Sequence, residues 1–183
     1  MVSDGYLDGN LVKIRGPMGA GKTAYMVALA VDKLRRGIYL PCQVLSNVSI
    51  PSYGIEAQRN DILDHYLSTF VKEVKGHRLV LFDEADQFYS HRDWADKKKS
   101  TALRNLWQCM KLGVTMIYTM HEGFGVDTIM REAAMVSVWP QLIPSLDVLI
   151  LHVIDGRKGK TYKKVVSPIS GVFGLYNRRE AVY

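Results

Sequence analysis

Gly16-Pro17-Met18-Gly19-Ala20-Gly21-Lys22-Thr23 decides how the rest of the chain is read. It fits G-x-x-x-x-G-K-S/T at every fixed position, behind an apolar-alternating segment (Leu11, Val12, Ile14) and ahead of an apolar helical run. Strand, glycine-rich turn and helix, in that order, are the context this motif requires. The glycines let the backbone curl so that N–H groups converge on an anion. A helix starting near Lys22 adds its positive end at the same place. On this reading Lys22 reaches the β- and γ-phosphates of ATP and the Thr23 hydroxyl holds Mg²⁺. Gly16, Pro17, Met18, Gly19, Ala20 and Gly21, with Ala24 just inside the helix, surround the phosphates. An ordinary glycine turn is the plain alternative, and the flanking strand and helix argue against it.

Working outward, the segment Leu11–Arg15 reads as a first strand and Lys22–Arg36 as a helix. Apolar residues run nearly all the way round that helix, which predicts deep burial. Lys33, Arg35 and Arg36 suit its carboxyl end, and Gly37 is the expected stop. A second strand is expected within Ile38–Ile50, extended over Gln43–Val48, with Pro41 at an edge or ahead of it. Asn60 can cap a helix carrying Ile62, Leu63, Tyr66, Leu67, Phe70, Val71 and Val74 on one side, ended by Gly76. Arg78–Phe82 is a short apolar run that leads straight into Asp83-Glu84-Ala85-Asp86. Ser100 can cap a further helix with the stripe Leu103, Leu106, Trp107 and Met110. Val114–Thr119 is another strand, and Asp127–Ala133 a short helix. Extended segments follow near Met135–Trp139, Asp147–Ile154 and Thr161–Val166, the last two flanking the hairpin turn Asp155–Gly159. Strands alternating with helices, then a late hairpin, predict a three-layer α/β fold with a mostly parallel central sheet and a C-terminal β-hairpin. The 183 residues are read as a single domain, 1–183.

The Asp83-Glu84 pair is the natural partner of the phosphate loop. Its strand is expected beside the first one, or one strand away, so that both end at the sheet edge where ligands of open α/β sheets bind. Asp83 is then placed to support Mg²⁺, and Glu84 to polarise the water that attacks the γ-phosphate. A polar turn is the plain alternative for such a pair taken alone. Thr119 and His121, at the end of the Val114–Thr119 strand, are candidates for sensing the γ-phosphate, or form an exposed loop. Arg104, off the apolar stripe with Gln108 and Lys111, belongs either to a solvated face or to a ring interface. In a ring it would stabilise transition-state charge on a neighbour's γ-phosphate, and Arg131 is a second candidate for that task.

Composition narrows the setting. Hydrophobic residues make up 48% of the chain and charged ones 23%, which is globular rather than disordered. No apolar run reaches the ~18 residues of a membrane span, and no basic-then-apolar leader is visible. The expectation is a soluble, cytoplasmic protein (host cytoplasm if viral). Cys42 and Cys109 lack metal or redox spacing and read as buried free thiols. A net charge of +6 favours polyanions weakly. The densest basic patches are Lys97–Lys99 and the hairpin's Arg157, Lys158, Lys160, Lys163 and Lys164, which suit sequence-blind contact with DNA or simple solvation. His152 reads as a core histidine, and Trp94, Trp107 and Trp139 as packing.

With both motifs placed, the chain resembles the FtsK–HerA superfamily of P-loop pumping ATPases. Its compact viral branch comprises genome-packaging ATPases and zonula-occludens-toxin-like assembly proteins of filamentous phages. The resemblance rests on Gly16–Thr23, Val44-Leu45-Ser46-Asn47 and Leu79-Val80-Leu81-Phe82-Asp83-Glu84. The helix around Arg104, the strand Ile117-Tyr118-Thr119 and Leu175-Tyr176-Asn177-Arg178-Arg179-Glu180 add to it. It implies a hexameric ring threading DNA through a pore, with an arginine supplied across each interface and virion or portal proteins as partners. The family usually has Gln at the sensor position, where this chain offers His121. Toxin-like members also carry a membrane segment; none is seen here, which tilts the expectation toward a soluble packaging motor. A rival resemblance is to type II thymidine kinases, on Gly16–Thr23 and Phe82-Asp83-Glu84-Ala85-Asp86-Gln87-Phe88. Those kinases typically carry a four-cysteine zinc lasso, which two cysteines cannot build. A nucleotide-dependent switch with little turnover is a third reading, against which a water-activating Glu argues.

Overall fold

The computed structural model describes residues 11–58, 66–88, 111–122 and 133–176. Seven strands among them form one sheet: β1 Leu11–Arg15, β2 Val44–Ser46, β3 Arg78–Phe82, β4 Val114–Met120, β5 Val136–Ile143, β6 Val148–Asp155 and β7 Lys160–Val166. Their order is β2-β3-β4-β1-β5-β6-β7. The first five in that order pair in parallel, while β5–β6 and β6–β7 pair antiparallel. The expected α/β fold with a mostly parallel sheet and a late hairpin is what forms. β4 intervenes between β1 and β3, so the two motif-bearing strands are one strand apart.

β1, β3 and β4 are buried almost throughout, as strands covered on both faces must be. Their residues divide by parity. Val12, Ile14, Leu79, Leu81 and Ile117 join one apolar cluster with helix α1, Lys22–Arg35. Leu11, Val80, Phe82, Met116 and Tyr118 join a second cluster on the opposite face, where Leu67 of helix α2 (Leu67–Glu73) contributes. The predicted deep burial of α1 is met by Ala24, Tyr25, Met26, Val27, Leu29, Ala30, Val31 and Leu34. A one-turn helix α3, Ala85–Phe88, follows the acidic pair, and another, α4 at Ser170–Phe173, packs on α1's side through Ile169, Val172 and Phe173.

Several boundaries differ from the sequence reading for local reasons. The second strand is only three residues long, because Pro41–Gln43 closes a 3₁₀ turn before it. Cys42 lies in that turn and is exposed, contrary to the expectation of a buried thiol. β5 runs on through Pro140 to Ile143. β1 pairs with it only as far as Val138, so Pro140's missing N–H falls where β5 has lost that neighbour. The helices expected around Arg104 and over Asp127–Ala133 lie essentially outside the described residues. So do Cys109, Trp94, Trp107, Lys97–Lys99, and the first part of the helix expected from Asn60.

Arg78 ties the far edge of the sheet together. It is buried at the start of β3, and its guanidinium donates to the carbonyls of Val71 (3.0 Å), Val74 (2.5 Å) and Leu112 (2.8 Å). These are carbonyls at the end of α2 and ahead of β4, so one cation satisfies acceptors on two elements.

Candidate active site

The phosphate loop leaves β1 at Gly16 and enters α1 at Lys22. Gly19 and Gly21 have φ of 77° and 89°, a left-handed region that glycine enters without strain. At Gly21, the residue preceding α1, a Cβ would also come within 2.7 Å of the Leu149 side chain. Conformation calls for glycine there, and any side chain would also have to push the end of Leu149 aside. Lys22 is buried and its Nζ donates to the carbonyls of Gly16 (3.0 Å) and Pro17 (2.9 Å), so the side chain folds back across the loop. Burial lowers its pKa, and the charges of Asp83, Asp86, Glu84 and Glu122 oppose that shift.

Asp83 follows β3 and meets the loop directly. The Thr23 hydroxyl is 3.0 and 2.9 Å from its two carboxylate oxygens and donates to them. Thr119, on β4, donates to Asp83 Oδ1 at 2.5 Å and accepts the backbone N–H of Glu84 at 2.8 Å. Asn47, just past β2, completes the clamp. Its Nδ2 donates to the Asp83 carbonyl (3.0 Å) and its Oδ1 accepts the Asp83 N–H (2.7 Å). One acidic residue is thereby fixed by three parallel strands and the first turn of α1. Burial raises the Asp83 pKa, and the hydrogen bonds from Thr119 and Thr23 and the charge of Lys22 counteract this.

Glu84 takes φ 53°, which is uncommon for a residue with a side chain and often marks a functional turn. Its Oε2 accepts from Gln87 Nε2 at 2.6 Å. Burial, then the neighbouring Asp83 charge, pushes its pKa up. A raised carboxylate pKa suits proton acceptance from water. His121 Nδ1 lies 2.9 Å from Asp86 Oδ2, and Asp86 is buried. The structure thus brings Gly16–Ala24, Asp83, Glu84, Thr119 and His121 to one sheet edge. Arg104 and Arg131 fall outside the described residues.

Mg²⁺ fits this donor set on chemical grounds. Among the described residues no group of three or more His, Cys, Asp or Glu could enclose a metal. Beside the loop stand the Thr23 hydroxyl and the Asp83 carboxylate, hard oxygens in contact with each other. That is the sparse set expected where phosphate oxygens and water complete a Mg²⁺ shell.

Two features were not legible in the sequence reading. For Asn47, a polar residue just beyond an apolar strand is the signal that its backbone clamp leaves. The second feature lies on the other side of the loop. Trp139, read as packing, has its ring under the Arg15 guanidinium (3.9 Å to the centroid), and its Nε1 donates to Glu122 Oε1 at 3.0 Å. His152, opposite Trp139 in the β5–β6 ladder, is half-buried rather than in the core. Both line a cavity of about 470 Å³ beside the phosphate loop.

A phosphate loop after β1 and an acidic pair after β3, on a sheet of this order, define the P-loop NTPase fold. Solved structures agree. The N-terminal domain of zonular occludens toxin from Neisseria meningitidis superposes with a TM-score of 0.62 at 15% identity, covering 92% of this chain and 98% of that one. The genome packaging NTPase B204 of Sulfolobus turreted icosahedral virus 2, in complex with ATP-gammaS, gives 0.58 at 11% identity, covering 87% and 98%. In sequence, the Gene 1 protein of Escherichia phage If1 is 29% identical over 127 residues, 60% of this chain. The match takes in 35% of that relative, so the chain spans about a third of its length. No protein-family model matches the sequence.

Proposed function

We propose that this chain is an ATP-hydrolysing motor of the FtsK–HerA type that acts on DNA in viral genome packaging or virion assembly. The observation that carries the reading is the direct contact of Thr23 with Asp83, sixty positions apart, with Glu84 next in line. Lys22 binds the β- and γ-phosphates of ATP, and the loop backbone of Gly16–Gly21 wraps them. Mg²⁺, when bound, would be held by Thr23 and Asp83 and would neutralise phosphate charge. Glu84 takes the proton of the water that attacks the γ-phosphorus, and ADP and phosphate leave. His121, held by Asp86, and Thr119, bonded to both acidic residues, are in position to couple β4 to the state of the terminal phosphate.

The viral setting is supported by the phage relative and by the packaging NTPase with the same fold. A ring, hexameric as the resemblance implies, would let Arg104 or Arg131 complete a neighbour's site. DNA is the polyanion that the net charge of +6 and the exposed Lys158, Lys160 and Lys163 of the hairpin would meet. Among the described residues no helix is long and apolar enough to cross a membrane.

The test is phosphate release from ATP with and without DNA, and with thymidine in place of DNA. DNA-stimulated release, with assembly into a ring on adding ATP, is the expected outcome. Thymidine monophosphate formation would replace the motor by a kinase. A strict monomer with and without ATP would remove the trans arginine.

A further inference from the structure

We propose that the rim of the sheet remote from the phosphate loop, where β2, β3 and β4 begin, is a docking surface for an anionic lipid bilayer. The inference does not depend on the nucleotide reading. Its first support is the segregation of charge between the two rims. At the nucleotide rim stand the acids Asp83, Glu84, Asp86, Glu122 and Asp147. At the opposite rim the connections 36–43, 74–77 and 111–113 contain Arg36, Lys75 and Lys111, all exposed, and no acid. In the helices that lead into them, Asp32 of α1 is paired with Arg36 at 3.4 Å, and Glu73 of α2 follows Lys72 in sequence.

Two leucines share that rim. Leu40 is 57% exposed and Leu112 is 50% exposed, the second directly beside Lys111. Their main chains are pinned. Gln43 accepts the Leu40 N–H at 2.9 Å and donates to the Lys75 carbonyl at 3.1 Å, joining the approaches to β2 and β3. Arg78 holds the Leu112 carbonyl at 2.8 Å, joining the approaches to β3 and β4. Tyr39 is buried and donates to Thr115 at 3.0 Å, anchoring the residue before Leu40. Three cations and two apolar side chains thus stand on a prearranged surface, and little order is lost when it docks.

This combination selects the partner. Lipid phosphates meet the cations, and the leucines leave water for the boundary between headgroups and acyl chains. A nucleic-acid backbone would take the cations but leave both leucines in water. It would also find no aromatic face to stack on, since Tyr39, the only Phe, Tyr or Trp of the three connections, is 2% exposed. A docked chain keeps its nucleotide rim in solvent, because the two rims are opposite. β3, five residues long, holds them about 16 Å apart, beyond the screening length in physiological salt. Neutralising the cations should therefore not reach the nucleotide.

The test is sedimentation of the full chain with vesicles of phosphatidylglycerol and phosphatidylcholine in equal parts, beside pure phosphatidylcholine. Binding to the anionic vesicles alone, falling as salt rises, is the expected result. Lys75→Ser combined with Lys111→Ser should lose more than about tenfold, at several-fold per cation. Leu40→Ser combined with Leu112→Ser should lose about fivefold or more, with the salt dependence unchanged. All four positions are exposed, so both variants should fold and keep their affinity for a non-hydrolysable ATP analogue within about twofold. A wild-type chain that ignores anionic vesicles overturns the proposal, as does a leucine variant that binds them undiminished. Binding of duplex DNA that needs the lysines but not the leucines, without uptake by vesicles, would assign the rim to nucleic acid. Self-association without vesicles that the lysine variant abolishes would assign it to the acidic rim of a second copy. Either result would replace the bilayer.

Discussion

The sheet has two halves built on different rules. From β2 to β1 the strands are parallel, and β1, β3 and β4 are covered on both faces. From β5 onward the chain turns back on itself; β6 alternates buried with mostly half-buried positions and β7 half-buried with exposed ones, β7 carrying Lys160, Lys163 and Lys164 at the sheet's edge. Parallel strands bring the residues that follow them to one rim, which is why Asn47, Asp83, Thr119 and the loop after β1 can meet. The acid that the antiparallel half brings to that rim, Asp147, is bound to Ile169 and Ser170, and the half supplies a wall. Its Trp139, Gln141 and His152 flank the loop from the side. Chemistry is thereby concentrated in one half, and shape and charge in the other. An edge strand bearing lysines also discourages pairing with another sheet.

The sharpest way to break that division is at Glu84. Glu84→Gln removes the proton acceptor but keeps the shape of the turn, so ATP binding should persist while turnover falls by about 10²–10⁴-fold. Single-turnover phosphate release, measured beside nucleotide affinity, checks both parts. Lys22→Ala should instead weaken binding and turnover together. Turnover unchanged in the glutamine variant would take Glu84 out of the reaction.

Next in size is an effect on folding at the opposite rim. Arg78→Met keeps the apolar stem but leaves the carbonyls of Val71, Val74 and Leu112 without their donor. A loss of roughly 3 kcal/mol in chemical denaturation is expected, the range for buried acceptors stripped of a charged partner. Nucleotide affinity of the folded variant should not change, because Arg78 stands at the start of β3 and the site at its end. Asn47→Ala, at the productive rim, should do the reverse in kind. It costs about 1–2 kcal/mol for the two bonds to Asp83's main chain, and it lowers turnover as the carboxylate loses its support.

What the sequence made legible follows the same division. The parallel half was readable because each of its rules is local: a glycine spacing, an apolar run, an acid at a strand end. The bounds of β1 and β3 agree with the expectation residue for residue. Contacts across the sheet were not readable. That Asn47 holds Asp83, or that Arg15 stacks on Trp139, depends on which strands become neighbours, and no spacing along the chain encodes it. Trp139 and His152 looked like core because they sit among apolar residues. Strand parity puts them on the other side from Val138, Leu151 and Val153, all buried in α1's cluster. Cys42 is exposed for a related reason: beside Pro41 the chain turns outward before β2 begins. The roles of Arg104 and Arg131 rest on the resemblance and lie outside the described residues.

A smaller effect comes from charge held in the site. The Asp83 carboxyl has a folded-state pKa above its ordinary value, chiefly through burial. The folded protein therefore binds its proton more readily than the unfolded chain does. This favourable contribution is complete below the ordinary Asp range and is lost as pH rises through the folded-state value. Glu84 acts with the same sign. Without nucleotide, Asp83→Asn should flatten the pH dependence of thermal unfolding above pH 4 and raise Tm at pH 7 by about 2–4 °C. A lower Tm would mean that the bonds from Thr23 and Thr119 outweigh burial. Stabilisation would mark Asp83 as a residue the fold holds at a cost.

The smallest expected effect tests the other half. Lys158, Lys160 and Lys163 are exposed on the β6–β7 hairpin, whereas Arg157 is engaged by Asp155 at 3.2–3.3 Å and is not free in the same way. Replacing the three lysines with serine should leave stability within about 0.5 kcal/mol, as surface changes usually do. Basal ATP turnover should also be unaffected, since none of them reaches the loop. If the hairpin meets DNA, the variant loses a few-fold in DNA-stimulated turnover, and the salt dependence of that stimulation becomes shallower by up to about three counterions. An unaltered salt slope would leave these lysines as a solvated edge that keeps the sheet from extending, and would move the DNA contact elsewhere on the chain.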